Sequence, residues 1–160
     1  MGIGCLWYYA SDILNSPGMQ AEKDLDQHGG ISVYEHSCRA AKLCFLVSKH
    51  LPFRVDRRRL IRGSLLHDYF LYDWHIPDKS HRLHGFTHPG KALINAKRDF
   101  FITEIEEDMI LHHMFPLTPT PPKTTEGKIL CVADKLCAAY ETVYGNLCKA
   151  KGRLVWHDQR

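Results

Sequence analysis

Apolar side chains recur at three- and four-residue intervals along almost the whole chain, and no stretch alternates well enough to read as a strand. A chain patterned this way buries its apolar stripes helix against helix, which points to an all-α fold. Its 160 residues are the length of one domain. The expectation is a single compact bundle, cut by prolines and glycines into about six or seven helices.

The punctuation places those helices. Residues 3–14 form a first helix that stops at Ser16-Pro17-Gly18, and 19–27 form a short polar helix or turn ended by Gly29-Gly30. Ser32 and Glu35 make a capping box that opens a helix to about His50. Its apolar stripe runs through Val33, Ala40, Leu43, Cys44, Val47 and Leu51, and His36 lies on that inward stripe. Pro52 ends this helix, and Asp56 caps the next, which runs to about Tyr72. Residues 73–87 read as a loop, and Pro89 suits the first turn of a helix over about 89–100, holding His88 extended before it. Thr103 and Glu106 form a second capping box, opening a helix to about His113. The stretch Pro116 to Pro122 is an ordered loop or lid. A last helix starts at Thr124 or Thr125 and closes at Gly145-Asn146 after about Tyr144. The reading is a 1–31 N-terminal helical extension packing on a 32–145 domain, with a polar, basic 146–160 tail that frays.

Composition narrows the function classes. The net charge of +3 is too mild to imply a nucleic-acid polymer or a membrane surface as partner. No apolar run reaches the ~18 residues of a spanning helix, and the N-terminus lacks the basic flank of a signal peptide. The six cysteines form no C-x-x-C pair and read as reduced, buried thiols of a cytoplasmic protein. The unusual count is eleven histidines, of which His67, His75, His81, His84, His88, His112 and His113 crowd between residues 67 and 113. Histidine is a common metal ligand and a costly core filler.

Three inward helical faces carry His36, the adjacent His67-Asp68, and Asp134 within Val132-Ala133-Asp134-Lys135. A carboxylate inside an apolar helix needs a cation or several donors to offset its desolvation. Two imidazoles and two carboxylates from separate helices form a set for a divalent metal.

A helix His, a His-Asp pair some thirty residues on, and a distant Asp in an apolar helix resemble the HD superfamily of metal-dependent phosphohydrolases, over roughly residues 32–145. Thr87-His88-Pro89 and Ile110-Leu111-His112-His113 look like the extra histidines of its dinuclear branches, which include the HD-GYP type and the YqeK-like dinucleotide hydrolases. His112 and His113 both flank the apolar stripe, and periodicity does not choose between them. Met114-Phe115-Pro116-Leu117 stands where the HD-GYP type carries Gly-Tyr-Pro, so cyclic di-GMP hydrolysis is not expected.

The resemblance implies hydrolysis of a phosphoester or phosphoanhydride of a small substrate, a nucleotide, by a metal-activated water. It implies one or two divalent transition-metal ions (Fe, Mn, Co, Ni or Zn), with Asp68 as the bridging carboxylate. Arg39, Lys91 and Lys135 are candidate phosphate clamps, and Asp73 is a candidate to orient a ligand His or to donate a proton. His75, His81 and His84 read as members of a solvated loop. The alternative is a non-catalytic, metal-containing ligand-binding or sensing module of the same fold. The sequence leaves the oligomeric state open.

Overall fold

The computed structural model describes residues 4–28, 30–76 and 83–157. Seven α-helices carry the architecture among them: α1 (Gly4–Leu14), α2 (Pro17–Ala21), α3 (Val33–Ser48), α4 (Arg57–Leu66), α5 (His84–Asp99), α6 (Glu104–His112) and α7 (Thr125–His157). Among the described residues the one β element is a small antiparallel hairpin, β1 (Asp26–His28) with β2 (Ile31–Ser32), linked to α2 by a single 3-10 turn at Glu22–Asp24. The periodicity misses this hairpin because two- and three-residue strands are too short to alternate.

Local chemistry sets most of the helix starts. Ser32 and Glu35 form the capping box of α3, Thr103 and Glu106 that of α6, and Asp56 accepts from the Arg59 amide to start α4. Helix α3 packs against α4 and α7, α6 packs against the same two, and α1 lies on α4. Leu6, Ile13, Leu14 and Met19 of the N-terminal segment share one buried cluster with Ile61, Leu65, Tyr69 and Ile110. A second cluster joins Ala40, Cys44, Leu60, Met109 and Leu130. Gly18 is required by this packing, because a Cβ there would overlap the Tyr69 hydroxyl.

Three boundaries depart from the sequence expectation. Helix α4 ends at Leu66, with His67 as its C-cap, rather than near Tyr72. The segment beyond leaves helical geometry, Leu71 adopts φ 58°, and Asn95 of α5 donates to the carbonyls of Tyr69 and Phe70. A tertiary partner for those carbonyls replaces the helix's own bonds. Helix α5 begins at His84, after Leu83 at φ 58°, so Pro89 lies inside the helix and His88 is helical rather than extended. So close to the N-terminus, the missing proline N–H costs only one helical bond. Helix α7 continues through Gly145 to His157 instead of closing at Gly145-Asn146. One glycine in a helix costs only about 1 kcal/mol.

Cys38, Cys44, Cys131 and Cys137 are buried free thiols, and burial pushes Cys38 up to about 11 and Cys44 up to about 12. The side chains of Cys5 and Cys148, and all of His81, lie outside the described residues. No helix among the described residues is long and apolar enough to cross a membrane.

Candidate metal centre

Five helices deliver six side chains to one buried point. His36 comes from the first turns of α3, His67 and Asp68 from the end of α4, His88 from α5, His113 from the end of α6 and Asp134 from α7. All six are buried, with His67 at 0% and His113 at 1% exposure. Their ligand atoms fall into three overlapping triads: His36-His67-Asp68, His67-His113-Asp134 and Asp68-His88-His113. Helices α4 and α6 end at the cluster, with His67 and His113 as their C-caps. Those negative dipole ends favour a cation there.

Asp68 sits between the two halves. Its Oδ2 lies 3.4 Å from His67 Nε2 and 3.9 Å from His36 Nε2, and its Oδ1 lies 3.2 Å from His88 Nε2 and 3.6 Å from His113 Nε2. Asp134 Oδ1 stands 3.0 Å from His36 Nε2 and 3.4 Å from His67 Nε2. Burial pushes both carboxyls up, but the imidazoles around them prevail and hold both well below the usual range.

The tautomers are dictated by backbone acceptors. His67, His88 and His113 direct Nδ1 to the carbonyls of Ser64, His84 and Ile110 at 2.8–2.9 Å. A carbonyl only accepts, so each Nδ1 carries a hydrogen, and Nε2 is the nitrogen that each ring turns to the cluster. His88 Nε2 and His113 Nε2 then face each other at 2.9 Å. Two bare nitrogens at that separation would repel, so a shared proton or a metal cation must lie against them. His67 Nε2 and Asp68 Oδ1 are also buried without a well-formed hydrogen bond. Burial, and then the neighbouring His67, push His113 down to about 3, keeping it neutral. These observations fit a centre that holds divalent metal through imidazole nitrogen and carboxylate oxygen.

The candidate residues divide. The structure brings His36, His67, Asp68, His88, His113 and Asp134 together, but not His112. His112 turns away and donates Nδ1–H to Asp108 Oδ1 at 2.9 Å, one helical turn back. Asp108 in turn accepts from the Lys123 and Thr124 amides and anchors the proline-rich loop. Arg39 is half exposed, 3.5 Å from Glu141. Lys91 Nζ sits 4.4 Å over the Tyr72 ring. Asp73 bonds the amide and ring of His75 at the surface. None of these three lines the cavity above the cluster.

That cavity, of about 540 Å³, has Asp68, His88, His113 and Asp134 in its wall together with Gln27, Lys135, Trp74 and His84. The loop histidine His84 is thus part of α5 and of the cavity. Its ring stacks on Trp74 at 5.1 Å and on His88 at 4.6 Å. Lys135 Nζ donates to the His113 and Cys131 carbonyls at 2.7 and 3.1 Å.

Three buried residues escaped the sequence reading. Gln27, from the hairpin, donates Nε2–H to Asp68 Oδ2 at 2.6 Å. Nothing in its short polar surroundings marks it. Glu22 is fully buried with neither carboxylate oxygen bonded, and burial followed by the Asp68 charge pushes it well above the usual range. Glu141 accepts from His36 Nδ1 at 2.8 Å. It did carry a signal: it follows Asp134 by two helical turns and so shares its face of α7. Burial lowers His36, but its bonds to Asp134 and Glu141 win and raise it to about 10.

The family model described as HD domain matches residues 33–139. Gln27 and Glu141 both fall outside that span. No curated protein and no solved structure gives a significant match.

Proposed function

The chain belongs to the HD domain family, and from that premise we propose a metal-dependent phosphohydrolase that cleaves a phosphoester or phosphoanhydride of a small substrate, a nucleotide. His36, His67, Asp68, His88, His113 and Asp134 would hold two divalent ions. When bound, such ions supply Lewis acidity toward a phosphoryl oxygen and lower the pKa of water. One observation carries the reading: the two oxygens of Asp68 face different pairs of imidazoles within 4 Å.

The chain's own residues do the rest. Gln27 fixes the Asp68 rotamer through its 2.6 Å bond. Lys135 is the one candidate clamp that lines the cavity among the described residues, and we assign it the phosphate. The stacked Trp74 and His84 rings, with Met114, Pro116 and Leu117 in the same wall, offer a flat apolar surface suited to a base. Arg39 would act through Glu141, and Lys91 and Asp73 would act at the rim. The buried thiols are in keeping with a cytoplasmic protein.

A metal-holding binding or sensing module is the second reading. It is favoured by the Lys135 ammonium, which donates to two backbone carbonyls and must leave them to reach a phosphate. Protein purified without chelator, assayed with Mn²⁺ on bis-p-nitrophenyl phosphate and on nucleoside di- and triphosphates, separates the two. Turnover that Asp68→Ala abolishes in a folded protein supports the hydrolase. Stabilisation by nucleotide without turnover supports the module.

A further inference from the structure

The four imidazoles of the centre are not held alike. His67, His88 and His113 each rest on a backbone carbonyl. His36 alone directs Nδ1 to a carboxylate, Glu141 Oε2 at 2.8 Å, and both side chains are at most 1% exposed. A full negative charge behind an Nδ1–H makes the opposite nitrogen a stronger ligand than a carbonyl dipole does. Helix α7 thereby addresses both nitrogens of one ring: Glu141 at Nδ1 and Asp134 at Nε2, 3.0 Å away. Arg39 Nη1 lies 3.5 Å from the other Glu141 oxygen and steadies it. His36 forms a triad with His67 and Asp68, and none with His88 or His113.

We propose that Glu141 is a positioning residue that makes the two halves of the centre unequal. The half built on His36, His67 and Asp68 takes a divalent ion first and tightly. The half built on Asp68, His88 and His113 takes the second ion more weakly and exchanges it. The inference rests on the two-ion reading of the site above, and it makes occupancy of the second half the quantity that responds to metal supply.

The test titrates the full chain, stripped by chelator and dialysed, with Mn²⁺ alone, counting free ion by its electron paramagnetic resonance signal. Wild type is expected to show one tight and one weaker equivalent. Glu141→Gln keeps an acceptor oxygen but removes the charge. It should weaken the tight class on the order of 10–100-fold, leave the weak class in place and retain the helical circular dichroism. Glu141→Asp should recover part of the loss, and it carries the test if the Gln variant does not fold. Two equal equivalents in wild type, an unchanged curve for Glu141→Gln, or an equal loss of both classes overturns the proposal. Wild type that binds no divalent ion overturns the proposed function itself, an outcome distinct from the other three.

Discussion

Asp68 Oδ1 lies 3.2 Å from His88 Nε2, although the two residues belong to different helical segments and the other oxygen of that carboxylate serves His67. A carboxylate that turns each oxygen to a separate imidazole pair is placed to join two cations. His67 and Asp68 follow directly on the last residue of α4, so one helix end delivers both.

Asp68→Asn should therefore be the most damaging single change to activity. The loss expected is at least about 100-fold in phosphoester hydrolysis, about 2.7 kcal/mol of transition-state stabilisation, with bound metal falling alongside. Circular dichroism should be unchanged, since Asn fills the same space. Hydrolysis within a factor of two of wild type would remove Asp68 from the centre.

The neighbouring histidines of α6 give a paired control. His113→Ala should lose the ion held with Asp68 and His88 and keep the one beside His36, because the His36-His67-Asp68 triad does not include it. His112→Ala should keep the metal and cost about 1–2 kcal/mol in urea unfolding, through the lost bond to Asp108. Metal analysis and denaturation of the two variants, side by side, check both statements. Equal metal loss in the two would contradict the geometry.

Those two positions also show what the sequence carries. Capping boxes and inward stripes place His36 and Asp134 on the right faces, because those signals are local and strong. Periodicity could not choose between His112 and His113, because the choice is made at the helix end. There His113 leaves α6 as its C-cap while His112 still faces Asp108 one turn back. Gln27 was beyond reach for a different reason. It arrives on a hairpin whose position depends on packing against α3 and α7, a tertiary fact with no local imprint. The early start of α5 was hidden by Pro89, which reads as a helix opener although it lies inside the helix.

The metal-free protein should show an alkaline loss of stability. His36 is raised to about 10 in the folded chain against its ordinary 6.5. A group raised on folding contributes stability that is complete below about pH 6.5 and is lost as pH rises toward 10. The urea midpoint of the stripped protein should fall between about pH 6.5 and 8, below the range of about 8.5 in which thiols of the unfolded chain ionise. His36→Gln should show a shallower fall, since His67, which burial lowers but Asp68 and Asp134 raise on balance, remains. Parallel pH profiles for the two proteins would contradict the assignment.

A two-ion centre joined by Asp68 is tested most directly by anomalous diffraction. Crystals of protein purified without chelator and soaked in excess Mn²⁺, measured at the Mn, Fe, Co, Ni and Zn edges, should show two peaks. Both should lie within ligand distance of Asp68, one beside His36 and His67 and the other beside His88 and His113. No peak, a single peak, or a peak that Asp68 does not touch would contradict it.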